Sequence, residues 1–334
     1  MRPFQASRRA LLLGAVAGSA MLALPAGLRA GAPLRALALY GPPAGPSVTL
    51  AHAVATGKFA AIADTASMTA WRNPDELRAG LTSGTIQLSV VPVQAAANLY
   101  NRGFPIRLAN IMTNGLLYVA SADTGIAGVP DLAGRTVAVP FRGDTPEIIF
   151  GQLLAHHGLD AGTDLSITYA GSPIEAMQLL LAGRVEAALT AEPSTTAAAL
   201  QGRLVGKDIH RVINLQEAWG AMTGAAPVLP QAGLAIAGTF LDDHGDAVPA
   251  ILSALAAATA EVLADPATAA ATAADLLGMP AMILAASVPH SNLVARPAPE
   301  ARADVERMLA AMAGDDVDRI GGRLPDDAFY LRAA

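Results

Sequence analysis

The chain contains no cysteine. Thiolate catalysis, cysteine-ligated zinc and iron–sulfur clusters are therefore excluded. A lipid anchor on a cysteine just after an export leader is not expected either. The lack of disulfides does not fix the compartment, because a chain of 334 residues can bury a sufficient core without staples. Aromatic residues are scarce, at 4%. Sugar receptors usually stack their ligand on several rings, so this composition leans away from carbohydrate. The net charge is −6, with Lys and Arg scattered; there is no basic stripe, and nucleic acid is not an expected partner. Beyond the N-terminal leader no apolar segment has to span a membrane, since the hydrophobicity comes largely from alanine, a helix former found on surfaces as well as in cores. Catalytic constellations are also missing. His156 and His157 are adjacent, so on a helix they diverge by about 100° and cannot share a metal. His52, His210, His244 and His290 have no motif around them, and no Gly-x-Ser-x-Gly, His-Glu-x-x-His or phosphate-loop pattern occurs. Asp315-Asp316-Val317-Asp318 lacks the ligand spacing of a calcium loop. Neither a cofactor nor a metal is expected, and the chain reads as a non-enzyme.

What is present begins with an export signal. Arg2, Arg8 and Arg9 give a basic start, Leu11 to Leu24 an apolar run broken by Pro25, and Ala26 to Ala32 a stretch of small residues. That order is a secretory leader, too short to span a bilayer, which takes about 20 apolar residues. Ser7-Arg8-Arg9 resembles the twin-arginine export signal. Residues 1–32 are thus expected to be a signal peptide and the remainder a soluble periplasmic protein.

The most informative feature is an internal echo. Asn73-Pro74-Asp75-Glu76-Leu77 opens a helical pattern stopped by Gly84, with the strand-like Ile86 to Val91 behind it; Ser172-Pro173-Ile174-Glu175-Ala176 opens another, stopped by Gly183, with Val185 to Leu189 behind it. The two keep a constant offset of 99 residues. Each has a capping residue, proline in the first turn and glycine at the stop, the asymmetry helices prefer. Upstream, Leu37-Ala38-Leu39 with Pro46 answers Val137-Ala138-Val139 with Pro146 at an offset of 100. Two copies of strand, loop, helix, helix, strand predict an α/β protein of two doubly wound lobes. The period is far too long for a solenoid.

Two extended runs, Leu116 to Ala120 and Gly233 to Ala237, mark the expected hinge crossings. Lobe one is read as residues 33–117 plus 229–334 and lobe two as 118–228. From Asp246 onward the pattern is helical, over Val248 to Ala264, Pro266 to Leu277, Pro280 to Ser287 and Pro299 to Ala313, and these helices are expected to extend lobe one.

In open α/β sheets ligands sit beyond the carboxyl ends of the strands, against helix N-termini. The loop Val139 to Glu147 is the sharpest candidate: Arg142, Gly143, Asp144 and Thr145 precede Pro146, where free N–H groups and a guanidinium suit an anion or a carbonyl oxygen. The alternative is a well-capped helix with a solvent-facing arginine. Its counterpart around Pro43 and Ser47 offers backbone donors and a rigid wall. Trp71 and Arg72 in one copy and Ser172 in the other precede the echoed helices; Asn73 and Ser172 read most simply as caps, and Trp71 as a lid or stacking wall, or as a packing residue. Pro92, Gln94 and Glu192 stand where the echoed strands end, with Glu192 able to meet a ligand or to pair with Arg142. Thr113, Asn114 and Gln231 lie near the crossings.

Asp131-Leu132-Ala133-Gly134-Arg135-Thr136-Val137-Ala138-Val139, with Leu181-Ala182-Gly183-Arg184-Val185-Glu186-Ala187-Ala188 and the turn Glu192-Pro193 downstream, resembles the nitrate, sulfonate and taurine class of ABC-transporter substrate-binding proteins. The likeness covers most of the mature chain. It implies the type II periplasmic binding fold with two hinge crossings, a monomer that closes on a small ligand, often an oxyanion, and a membrane permease as partner. Arg142 would be the anion contact. The class also includes pyrimidine carriers, so the solute stays open. A sensory binding module is the alternative role. A pyrimidine synthase on the same scaffold relies on a cysteine-rich iron motif that this chain lacks.

Overall fold

A computed structural model describes residues 33–332; the export-leader reading of residues 1–32 falls outside them. Strand β1 (Leu37–Gly41) leads into helix α1 (Gly45–Ala55), β2 (Ala66–Ala70), α2 (Pro74–Ser83), β3 (Leu88–Pro92) and α3 (Val93–Asn101). The strands β4 (Ile106–Leu108), β5 (Asn110–Thr113) and β6 (Leu117–Ser121) follow. The opening pattern then recurs as β7 (Thr136–Pro140), α4 (Thr145–His156), β8 (Ser166–Ala170), α5 (Pro173–Leu181), β9 (Ala187–Ala191) and α6 (Ser194–Leu204). After β10 (His210–Asn214), α7 (Leu215–Thr223) and β11 (Ala232–Ala237) comes a largely helical run. It comprises α8 (Gly238–His244), α9 (Val248–Ala264), α10 (Pro266–Leu277), α11 (Ala281–Ser287), β12 (Leu293–Pro297) and α12 (Ala298–Ala313).

These strands form two sheets, ordered β12-β5-β11-β3-β1-β2, with β4 also on β11, and β10-β6-β9-β7-β8. The echo in the sequence is a structural repeat. β3 and β9 occupy residues exactly one repeat apart, Leu88–Pro92 against Ala187–Ala191. β1 runs parallel to β2 with Leu37 opposite Ala66, and β7 runs parallel to β8 with Thr136 opposite Ser166. The caps are repeated as well: Asn73 accepts from the Glu76 N–H and Ser172 from the Glu175 N–H, each satisfying one orphan donor of a helix start. The structure inserts β2 and β8 between the paired helices, which the sequence reading had following one another. Both are edge strands of mixed polarity, half exposed along their length, so they lack the apolar run that marks buried strands such as β3 and β9. β12, another edge strand, is likewise absent from the sequence reading.

Each sheet is completed by a strand antiparallel to its third member: β11 beside β3, and β6 beside β9. These are the strands at which the chain passes between sheets. The crossings are tied together: the Leu229 N–H donates to the Asn114 carbonyl at 2.9 Å, the Leu116 N–H to Gln231 Oε1 at 3.3 Å and the Leu117 N–H to Gln216 Oε1 at 3.0 Å. Gly115 makes this possible. It lies at φ +120, and a Cβ there would stand 2.0 Å from Gln216 Cγ, so both backbone and space exclude a side chain.

Helices cover both faces of each sheet. On sheet one, α1, α9 and α10 bury Leu50, Ile251, Leu255, Val262 and Ala270, while α2 and α3 add Leu77, Leu81 and Ala97 to the opposite face. On sheet two, α4 and α7 supply Phe150, Leu153 and Trp219, and α5 supplies Met177 and Leu180. The C-terminal extension is not confined to lobe one, as the sequence reading had it. α12 buries Ala301, Val305, Met308 and Met312 at helical spacing in a cluster shared with Phe150 and Leu153 of α4. Ile283 of α11 joins the lobe-two cluster. An amphipathic stripe shows that a helix packs, not on which sheet. Gly238–Ala264 is long and apolar enough to cross a membrane by length and composition. Here a 3-10 turn at Gly245–Ala247 interrupts it, and Phe240, Ile251 and Leu255 pack against sheet one.

The C-terminal strap is pinned to α3. Asn98 Nδ2 donates to the Asp318 carbonyl at 2.9 Å and Asn101 Nδ2 to that of Ile320 at 2.7 Å. Gln94 Nε2 donates to the Arg319 carbonyl.

Candidate functional site

The repeat brings four helix starts to one place. α1 and α2 face α4 and α5 across the gap between the sheets, and the crossings form its floor. A cavity of about 90 Å³ lies there, walled by the loop ends at Pro42 to Pro46, by Trp71 and Pro74, and by Pro140 to Pro146 and Pro173 from the opposite side. Leu116, Leu117, Gln231 and Ala232 close it at the crossings. Phe141 sits in the wall at φ +57, a conformation bulky residues rarely adopt and one that concentrates at functional sites.

Of the residues singled out from sequence, Pro43, Trp71, Pro92, Asp144, Thr145 and Gln231 line this cavity. Arg72 and Ser172 lie with Pro43 and Trp71 on an adjoining surface groove. The Arg72 side chain is exposed and pairs with Glu76 at 3.0 Å. Gly143 and Gln94 border a larger groove of about 560 Å³ between α2, α3 and the strap, which adjoins the cavity at Pro74, Pro92 and Asp144. Ser47 is buried, its hydroxyl donating to the Pro42 carbonyl at 2.5 Å. Thr113 is buried too and donates to the Ser291 carbonyl at 2.6 Å, while Asn114 belongs to the crossing. Arg142 is exposed, its guanidinium 4.7 Å above the Tyr169 ring, and it is not among the residues lining the cavity. Tyr169 in turn donates to Glu147 at 2.6 Å, and that bond, with burial behind it, holds the phenol above its ordinary range.

Glu192 pairs with a different arginine from the one considered in the sequence. It is fully buried and accepts from Arg211 Nε at 2.7 Å and Nη2 at 2.5 Å, and from the Thr196 N–H and hydroxyl at 3.1 and 2.7 Å. Arg211 comes from the edge strand β10, so nothing in the local pattern around Glu192 points to it. The guanidinium also lies 5.5 Å over the Tyr118 ring. Burial, reinforced by Glu192, pushes the Tyr118 phenol up to about 12. Its hydroxyl donates to the His290 carbonyl at 2.9 Å, linking lobe two to the C-terminal segment.

Three polar contacts join the walls. Arg78 Nη2 of α2 meets Asp144 Oδ1 at 2.5 Å, Thr145 donates to Gln94 Oε1 at 3.3 Å, and the Gly45 N–H donates to the Glu192 carbonyl at 3.1 Å. Asp144 is largely buried, and burial raises its carboxyl above the ordinary range despite Arg78. The helix starts are already supplied with anions: Glu76 accepts from the Arg72 N–H at 2.8 Å, Glu175 from the Gly171 N–H at 2.7 Å, and Glu147 from the Gly143 N–H. These are N3-type carboxylates reaching back over their own helix, as in a capping box. Sequence reading saw the caps and missed that the glutamates beside them would take the donors. Among the described residues no three His, Asp or Glu side chains converge as a metal site.

Two sheets of matching topology, antiparallel strands at the crossings and a cleft at facing helix starts define a two-lobed binding-protein fold of type II. A model of the NMT1-like family matches residues 44–277, and the chain belongs to that family. Solved structures carry the same fold. An ABC transporter protein from Parabacteroides distasonis superposes with a TM-score of 0.71 at 23% identity, covering 89% of this chain and 99% of that one. The periplasmic aliphatic sulphonate-binding protein SsuA from Escherichia coli does so at 0.67 and 18%, covering 89% and 96%. The periplasmic nitrate-binding protein NrtA from Synechocystis PCC 6803 gives 0.60 at 14%, covering 75% and 69%. Comparison with curated proteins finds no match.

Proposed function

We propose that the chain is an exported receptor that closes its two lobes on one small solute and delivers it to the membrane permease of an ABC importer. The observation that carries this reading is the cavity itself: it is built from equivalent helix starts of both repeats and floored by both crossings. A solute held there touches both walls only when they are together, so its binding energy goes into the closed form. The fold shared with periplasmic sulphonate- and nitrate-binding proteins supports the same role, as does the leader-like N-terminus for export to the periplasm. We take residues 33–117 plus 229–334 and 118–228 as the two lobes, with α11 and α12 of the C-terminal segment also packing on the second; the segments between the sheets, around Asn114 to Leu116 and Gly224 to Gln231, would absorb the motion. The test is uptake in whole cells. Deleting the gene should abolish high-affinity import of the solute that stabilises the purified protein, and restoring it should recover import. Unchanged import, with a changed transcriptional response to that solute, would place the protein in a sensory system instead.

A further inference from the structure

The cavity offers little to an anion. None of its lining residues is Lys, Arg or His. The nearby guanidiniums are engaged: Arg78 with Asp75 and Asp144, Arg211 with Glu192, Arg72 with Glu76, and Arg142 over Tyr169. Cations are not the only way to hold an oxyanion, since a helix start can do so with backbone N–H groups alone. Here those groups are largely removed or used. Eight of the lining residues are prolines, which have no N–H, and α1, α2, α4 and α5 each carry proline in the first turn. On α1 the Ala44, Gly45 and Ser47 N–H groups donate to the carbonyls of Pro42, Glu192 and Ala44. On the facing loop the Phe141 and Asp144 N–H groups donate to Ala170 and Phe141 carbonyls, and the Gly143 N–H to Glu147. An anion entering this space would lose its hydration and meet the Asp144 carboxylate.

The polar groups that remain suit a neutral molecule. Trp71 Nε1 is spent on Ser89 at 3.2 Å and the Thr145 hydroxyl on Gln94. Gln231 uses its amide oxygen on the Leu116 N–H; among the described residues its amide nitrogen has no such bond, so it is the side-chain donor left for a ligand, beside the Thr145 N–H at the start of α4, which has no side-chain cap. The size is also restrictive. An apolar cavity of roughly 150 Å³ takes a benzene, and this one measures about 90 Å³.

Resting on the receptor reading above, we propose that the cleft selects a small uncharged organic solute with an apolar body and one hydrogen-bond acceptor directed at the Gln231 amide, and that it discriminates against oxyanions of the same size. The experiment is a thermal-shift and calorimetric comparison of the mature protein with isosteric pairs at millimolar concentration: dimethyl sulfone against methanesulfonate, nitromethane against nitrate, and acetamide against acetate. The expected result is that stabilisation comes from the neutral members. In the Gln231→Glu variant, which keeps the oxygen facing Leu116 but replaces the donor, binding of the responding neutral probe should weaken roughly tenfold, while Arg142→Ala leaves it unchanged. Stronger stabilisation by methanesulfonate or nitrate, lost in Arg142→Ala, would overturn the proposal and leave the receptor reading intact. Stabilisation by neither class would overturn both.

Discussion

Replacing Arg211 with methionine isolates the least forgiving charge in the molecule. Glu192 is fully buried and Arg211 supplies two of its four hydrogen bonds. Methionine keeps much of the stem's packing and removes the charge. Breaking a buried pair from one side costs about 3–5 kcal/mol, because the remaining ion is left uncompensated. Arg211 is 21% exposed and Thr196 keeps its two bonds to the carboxylate, so the lower end, about 3 kcal/mol, is expected. At about 2 °C per kcal/mol for a chain of this size, the melting temperature should fall by roughly 6 °C. The Glu192→Gln/Arg211→Met double variant removes both charges and should regain most of that loss. Scanning calorimetry of the single and double variants makes the comparison, with ligand-free protein so that linkage to binding does not enter. A single-variant cost below about 1 kcal/mol would show that the pair is solvated and the reasoning wrong; so would a double variant less stable than the single one.

Gly115→Ala forces a side chain into a left-handed position already filled by Gln216, and should cost about 2–4 kcal/mol in chemical denaturation. Arg78→Ala opens the α2 bond to Asp144; since Arg78 is half exposed, the loss is at most about 1 kcal/mol, read as up to about fivefold weaker solute binding by titration calorimetry. Asn73→Ala and Ser172→Ala each remove a cap worth about 1 kcal/mol and, lying in separate repeats, should be additive in denaturant midpoints. The Asp144 carboxyl lies above its ordinary value of 3.8 because of burial. The folded state therefore binds more protons in that window, and the stability of the wild type relative to Asp144→Asn should fall as pH rises through the carboxylate range. A difference that grows with pH would contradict the buried assignment.

The repeat was legible because caps, first-turn prolines and terminal glycines are local signals. Asn73, Pro74 and Gly84 act on their own helix wherever it packs, as do Ser172 and Pro173. The buried, mainly apolar strands β3 and β9 were legible from their own composition. β2, β8 and β12 were not, since an edge strand half open to water has no burial pattern to betray it. Within the cleft, the residues found in advance are those at strand ends and helix starts, which topology alone brings together. The direction of Arg142 was not legible, because stacking on Tyr169 depends on a neighbouring strand. Nor was the partner of Glu192, which lies across sheet two on β10. Pro74, Pro146 and Pro173 were read as helix starters and Pro43 as part of a rigid wall; that eight prolines share one cavity and leave it few donors required the fold.

A solute held between both repeats must protect both walls of the cleft at once. Hydrogen exchange of the backbone amides, measured with and without the solute that stabilises the protein, tests it most directly. Slower exchange is predicted together at residues 43–49 and 71–77 on one wall and 141–149 on the other, with protection also at 114–117 across the crossing. Protection confined to one wall, or appearing only in the groove beside α3 and the C-terminal strap, would contradict it.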